Sequence, residues 1–198
     1  MWRNEEIAVT TKRVLVLKGS PRPRGNSSLL ADRVTAGATA AGATVESFVL
    51  RDMTIQPCDG CDACHNTGDG ECIIGDDMQI LYPKLRQADV IVVASPIYWF
   101  TVNAQTKLCI DRWYALETPQ GSTLKGKTFA AVLTYGDSDP FTSGAVNAMR
   151  MFQDMCRYLK ADLAGMVYGT ASDQGDVEQQ PKLMEQAYEL GKKLGATM

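Results

Sequence analysis

Short apolar runs alternate along the chain with stretches in which apolar residues recur every three or four positions. That alternation marks β-α-β units wound into a parallel sheet. Val14, Leu15, Val16 and Leu17 form an unbroken run between Arg13 and Lys18, as a strand covered on both faces requires. Val90 to Ala94 and Thr128 to Leu133 read the same way. Val45 to Leu50 alternates more and suits an edge, and Leu163 to Tyr168 supplies a fifth strand.

The helices announce their buried faces by spacing. Leu30, Val34, Ala38 and Ala41 form one stripe, and Ala145, Met149, Phe152, Cys156 and Leu159 another. A helix opening at Asp76 or Asp77 carries Leu81, Leu85 and Ala88 inward, and Gln79 three residues after Asp76 resembles a capping box. A last helix near Pro181 to Leu194 presents Leu183, Ala187, Leu190 and Leu194. No repeat, low-complexity tract or Pro/Gly-rich linker divides the chain, so residues 1–198 read as one domain with a cysteine-rich loop at about 51–75. That loop is the one long irregular connection.

Composition narrows the function. Twenty Lys and Arg against 23 Asp and Glu give a net charge of −3, with no basic stripe to neutralise a nucleic-acid backbone. The longest apolar runs fall far short of the roughly 20 residues that cross a bilayer. The start, Met1-Trp2-Arg3-Asn4-Glu5-Glu6, is polar and acidic where a signal peptide is basic and then apolar. The expectation is a cytoplasmic protein that works on neither nucleic acid nor membrane.

Candidate chemistry gathers in the loops after the strands. In an open parallel sheet, ligands bind beyond the carboxyl ends of the strands, at the switch point beside the first one. There Gly19-Ser20-Pro21-Arg22-Pro23-Arg24-Gly25-Asn26-Ser27-Ser28 leads into a helix, offering backbone amides, hydroxyls and the helix dipole to an anion. It has neither the lysine of a triphosphate loop nor the close glycines of a dinucleotide loop, which leaves a terminal monophosphate. Ser20, Asn26, Ser27 and Ser28 can donate to its oxygens, with Arg22 or Arg24 offsetting the charge. The plain alternative is a stiff loop with Asn26 as helix N-cap and solvated arginines. After the third strand come Ser95-Pro96-Ile97-Tyr98-Trp99-Phe100, whose Pro96 presets the loop and whose rings offer flat surfaces. Alternatively those rings pack on another subunit or on the cysteine loop. Tyr135, Gly136 and Asp137 follow the fourth strand. A monophosphate pocket beside an aromatic wall, on a sheet of order 2-1-3-4-5, is the layout that holds flavin mononucleotide (FMN).

With Gly19-Ser20-Pro21-Arg22, Gly25-Asn26-Ser27, Ser95-Pro96-Ile97-Tyr98, Lys107 before Ile110-Asp111-Arg112, and Asp76-Asp77, the chain resembles the NADPH-dependent FMN reductase family over roughly residues 13–194. The resemblance implies a flavodoxin-like α/β fold: a five-stranded parallel sheet of order 2-1-3-4-5 with helices on both faces. It also implies that the first loop holds the FMN phosphate and that Pro96, Ile97, Tyr98, Trp99 and Phe100 line the flavin ring. Members typically form homodimers or homotetramers with the flavin at a subunit interface. They pass electrons from NAD(P)H through FMN to a small-molecule acceptor such as a quinone or a flavin.

Cys58, Cys61, Cys64 and Cys72 are spaced C-x2-C-x2-C-x7-C, with a Gly68-Asp69-Gly70 turn before the last. Four thiolates at this spacing suit a [4Fe–4S] cluster, and tetrahedral zinc is an alternative with the fourth cysteine or His65 completing its shell. The motif resembles that of the iron–sulfur flavoproteins, which pass electrons between cluster and FMN and would take them from ferredoxin. Against a cluster stand six acids between Cys58 and Asp77 with no Lys or Arg among them; reduced thiols are then the third reading. Cys109 and Cys156 fall on helices as small core residues. His65 reads as a solvated surface group, and with a single histidine no catalytic triad can be built, so a cofactor must supply the chemistry.

Overall fold

A computed structural model describes residues 11–66 and 71–197. The polar start at residues 1–6 and the expected Gly68–Gly70 turn lie outside the described residues.

The chain opens with β1 (Arg13–Lys18), α1 (Asn26–Ala40) and β2 (Thr44–Val49). A short helix α2 (Ala63–Asn66) interrupts the cysteine loop before α3 (Met78–Gln87). Next come β3 (Val90–Tyr98), the two-residue β4 (Thr101–Val102) and α4 (Ala104–Asp111), which runs into a 3-10 turn over Arg112–Leu116. A small hairpin of β5 (Glu117–Thr118) and β6 (Gly121–Ser122) precedes β7 (Thr128–Tyr135), α5 (Ala145–Leu159), β8 (Asp162–Thr170) and α6 (Pro181–Gly195). The long strands stand in the order β2-β1-β3-β7-β8, all parallel, with β4 folded back on β3. This is the flavodoxin-like sheet expected from the sequence, with β2 at an edge.

Successive residues of a strand face opposite sides, and here both sides are covered. Val14, Val16, Val92 and Val132 face a cluster built with Leu30 and Val34 of α1 and Leu183 and Leu190 of α6. Leu15, Leu17, Ile91, Val93 and Phe129 face the other cluster, with Leu81 and Leu85 of α3 and Phe152 of α5. The unbroken apolar runs of the central strands follow from this double burial.

Three local expectations change. The third strand does not end at Ala94: Ser95 and Pro96 continue in register opposite Leu133 and Thr134 of β7, and Ile97 and Tyr98 pair with Val102 and Thr101 of β4. Proline is tolerated there because its missing N–H falls at the end of the β7 ladder. At α3 no capping box forms. Asp76 Oδ1 accepts from the Met78 amide at 3.0 Å, while Gln79 Nε2 turns away to the Cys72 and Ile74 carbonyls. The N-cap of α1 is Gly25, not Asn26, and Ala41 lies just past that helix, half-buried.

Where α1 and α6 cross, glycines face backbone. A Cβ on Gly37 would sit 2.0 Å from the Tyr188 carbonyl oxygen, and one on Gly191 would sit 2.1 Å from that of Val34. Since these contacts are with backbone, a methyl group forces the helices apart, and overpacking of this kind costs roughly 1–3 kcal/mol. Gly191→Ala should therefore lower the thermal midpoint by several degrees, whereas Gly75→Ala, which meets no heavy atom within 4 Å, should leave it nearly unchanged. Equal midpoints in calorimetry for the two variants would refute the close-packed seam.

Candidate functional site

Strands that all run one way bring the ends of β1, β3 and β7 to a single edge. Two of those ends are pinned by Asn103, which is 1% exposed. Its Nδ2 donates to the Gly19 carbonyl, its backbone N–H donates to Ser95 Oγ at 3.1 Å, and its Oδ1 accepts from Thr106 Oγ1 at 2.6 Å. The Gly19 amide adds a bond to the Ala94 carbonyl at 2.7 Å.

Between these ends opens a cleft of about 230 Å3 lined on one side by Ser20, Arg22, Gly25 and Asn26 and on the other by Pro96, Ile97 and Tyr98. Thr134, Tyr135, Gly136, Ala171 and Ser172 complete it. The first side has the features an oxyanion needs. A Cβ on Gly25 would stand 1.9 Å from Ser20 Oγ, so only glycine leaves this concavity open. The Ser28 and Leu29 amides donate to the Gly25 carbonyl at 2.9 and 3.0 Å, which leaves the Asn26 and Ser27 amides without an acceptor in the helix, and the wholly buried Ser27 Oγ has no hydrogen-bond partner. An orphaned hydroxyl beside a helix N-terminus matches a ligand with several acceptor oxygens. Arg22 is exposed, and its Nη1 donates to the neutral Ser172 carbonyl at 2.8 Å.

The predicted site residues divide by place. Ser20, Arg22, Asn26, Pro96, Ile97, Tyr98, Tyr135 and Gly136 share the cleft. Trp99, Phe100 and Asp137 line a neighbouring hollow of about 270 Å3 that also touches Ile97, Tyr135 and Gly136. Ser27 and Ser28 are buried at the start of α1. Arg24 turns outward and holds both carboxylate oxygens of Glu178. Asn26 is engaged elsewhere: its Nδ2 donates to the Asp173 carbonyl at 2.7 Å, and its Oδ1 accepts from the Gly175 amide at 3.0 Å. Ala171 and Ser172 went unread because they follow the outermost strand and carry no motif.

Trp99 and Phe100 form the two-residue turn between β3 and β4, with φ of 47° and 68°. Such left-handed turns favour Asn-Gly, and a bulky residue there costs about 1–3 kcal/mol. Phe100 is held against Gly144, and its carbonyl accepts from Asn147 Nδ2 at 3.1 Å, whereas Trp99 is 91% exposed.

On the far side of the aromatic edge, the cysteine loop is anchored by a residue distant in sequence. Arg112 is 1% exposed and forms a two-pronged ion pair with Asp76, donates to the Gln56 carbonyl at 2.9 Å, and reaches Cys72 Sγ at 3.3 Å. The segment's lack of cations is thus overturned in three dimensions: the fold supplies one from 40 residues away. Cys64 is buried, and burial together with the charges of Cys72, Cys58 and Cys61 pushes its thiol up. His65 is not simply solvated. It stacks on Tyr114 at 4.1 Å between ring centroids, and its Nε2 lies 3.0 Å from the Tyr114 carbonyl oxygen. Among the described residues, no three His, Cys, Asp or Glu side chains come together around one metal ion, so the shell of a zinc site is not formed. Cys109 and Cys156 sit in the core, where burial raises their thiols to about 12 and about 11.

Residues 12–171 match the model of the NADPH-dependent FMN reductases. The chain belongs to that family. An iron–sulfur flavoprotein of Methanocaldococcus jannaschii is 36% identical over 120 residues, covering 61% of this chain and 60% of that one. The chain thus matches only three-fifths of that relative's length. A Bacillus subtilis protein named for NAD(P)H-dependent, FMN-containing oxidoreductase activity is 27% identical over 93% of this chain and 99% of its own. Among solved structures, the NAD(P)H:quinone oxidoreductase of Methanothermobacter marburgensis superposes with a TM-score of 0.74 at 18% identity, over 96% of this chain and all of that one, and so shares the fold. Within this FMN reductase family member, the described residues include no helix long and apolar enough to cross a membrane.

The buried ion pair makes a stability prediction. Burial alone would raise the Asp76 carboxyl, but the Arg112 guanidinium and the Gln56 and Met78 amides outweigh it and hold the carboxyl below its ordinary value. A depressed carboxylate stabilises the fold fully above the unfolded pKa, near 3.9, and that contribution is lost as pH falls through the lower folded value. Stability should therefore drop as pH falls below about 4, and Asp76→Asn should flatten this acid limb. Arg112→Ala should cost about 3–5 kcal/mol near neutral pH by leaving the carboxylate buried and unpaired. Denaturant titrations at several pH values check both; an unchanged acid limb in Asp76→Asn would assign the slope to other groups.

Proposed function

We propose that the cleft binds FMN and that the protein is an NAD(P)H-dependent oxidoreductase delivering electrons to a small acceptor such as a quinone or a flavin. The observation that carries this reading is one cleft with Ser20, Arg22 and Gly25 on one side and a wall of Pro96, Ile97 and Tyr98 opposite, with the orphaned Ser27 hydroxyl buried at the start of α1, in a chain of the FMN reductase family. Bound FMN would supply the redox chemistry, accepting hydride from a nicotinamide and passing electrons on.

The chain's own residues bind and orient. Ser20, Ser27, Ser28 and the first amides of α1 would hold the phosphate, and Arg22 would leave the Ser172 carbonyl to offset its charge. Tyr98 and Ile97 would face the ring, and Trp99, Phe100 and Asp137 would border the space from which the second substrate approaches. One face serving both donor and acceptor in turn implies ping-pong kinetics. We place the protein in the cytoplasm as a homodimer or homotetramer.

A second reading is favoured by the Arg112–Cys72 contact and by the iron–sulfur relative. Here Cys58, Cys61, Cys64 and Cys72 would hold a [4Fe–4S] cluster exchanging electrons with FMN, with ferredoxin as donor. Hydrogen bonds to cluster sulfurs tune potential, and Arg112 is placed to make one to Cys72.

Protein purified without oxygen should be yellow and should bleach on adding NADPH. Ser20→Ala with Arg22→Ala should weaken FMN binding by at least about tenfold. Undiminished colour in that double variant would remove the phosphate from this loop. Iron and sulfide analysis of the same preparation tests the second reading. Near four irons per chain, lost in Cys58→Ser, supports it, and a yellow protein without iron or sulfide rejects it.

A further inference from the structure

We propose that the segment Ala171–Gln180, after the outermost strand β8, is a fourth wall of the flavin site and that Asn26 is a positioning residue that holds this wall, not a phosphate ligand. The inference rests on the flavin reading above.

Asn26 is 6% exposed and lies 147 residues before Asp173, yet both its amide nitrogen and its amide oxygen bond to this segment. Nδ2 donates to the Asp173 carbonyl at 2.7 Å, and Oδ1 accepts from the Gly175 and Val177 amides at 3.0 and 3.4 Å. A side-chain amide that replaces three backbone partners fixes a turn in the way a strand ladder would. Asp176 closes the same turn from the opposite side, its Oδ2 accepting from the Ser172 and Asp173 amides at 2.9 and 2.7 Å. Val177, fully buried among the side chains of α1 and α6, anchors the segment in the core.

The consequence is felt at the cleft. The turn presents Ala171 and Ser172 to the lining, where Ser172 Oγ donates to the Gly136 carbonyl at 3.1 Å and the Ser172 carbonyl accepts from Arg22. Arg24 fastens the far end through Glu178. Arg22, Arg24 and Asn26, three residues that read as phosphate ligands by sequence, thus all clasp this segment. A phosphate dianion can draw Arg22 off a neutral carbonyl, because charge-assisted bonds are the stronger ones. Asn26 is neutral, and its three bonds to this segment fix its orientation and leave one Nδ2 hydrogen uncommitted, so the side chain serves the segment first.

A phosphate ligand and a wall-holder differ in what they discriminate. FMN and riboflavin differ only in the phosphate, so both are titrated into the full chain, following the quenching of flavin fluorescence, for wild type, Asn26→Ala, Asp176→Ala and the double variant. The expected result is that each single change weakens FMN and riboflavin by the same factor, about tenfold, and that the double variant is no weaker than the worse single, since both act on one device. Loss of FMN affinity in Asn26→Ala with riboflavin binding intact would make Asn26 a phosphate ligand and overturn the proposal. Wild-type binding of both flavins by Asp176→Ala would remove the segment from the site. In wild type, which requires no variant to fold, FMN should slow amide exchange across residues 171–178, and unaltered exchange there also overturns it. Wild type that binds neither flavin defeats the flavin reading itself, an outcome distinct from the others.

Discussion

The site depends on a constraint of parallel sheets: every strand delivers its carboxyl end to the same edge, and whatever fixes those ends relative to one another fixes the cleft. Asn103 does so for β1 and β3 through the Gly19 carbonyl and Ser95 Oγ. It is buried with its hydrogen-bonding capacity engaged, and a satisfied polar group of this kind specifies one arrangement because any displacement strands a donor or an acceptor. The glycine contacts between α1 and α6 perform the matching task on one face, bringing the start of α6 close to the start of α1 so that the segment before α6 can reach Asn26.

Much of the architecture was legible in the residues because double burial writes itself as continuous apolar runs. The β1 run from Val14 to Leu17 located that strand and its bounds, and the stripes of α1, α5 and α6 located their inner faces. The end of β3 was misread because Ser95 and Pro96 lack an apolar signal; they extend as strand only because β7 and β4 lie beside them. The loops after β1 and β3 were legible as neighbours on one cleft, while the hydrogen bonds within them were not. Arg24 and Asn26 look like anion ligands in a string of residues, and their partners, Glu178 and Asp173 to Val177, stand about 150 positions away. No periodicity carries information over that distance.

The cysteine loop shows the same limitation in its charges. Counted along the chain, the segment from Cys58 to Asp77 is anionic and unsupported. Folded, Asp76 is neutralised by Arg112, and the same guanidinium touches Cys72, so one cation serves a carboxylate and a sulfur at once. A buried pair of this kind adds little net stability compared with apolar packing, and its value lies in placing the loop against the turn at Arg112–Leu116. That placement sets where Cys64 and Cys72 stand with respect to the sheet edge.

The turn at Trp99 and Phe100 has a thermodynamic corollary. Its left-handed backbone is imposed by pairing with β4 and by the Gly144 contact, so the direction in which the indole leaves the chain is settled before any encounter. A flat molecule arriving at this mouth meets a surface whose main-chain ordering entropy has already been spent in folding. On the proposed reading, a planar compound would then gain mainly from the ring area it covers on Trp99, with Asp137 and Ser143 in the same hollow left to sense its polar groups.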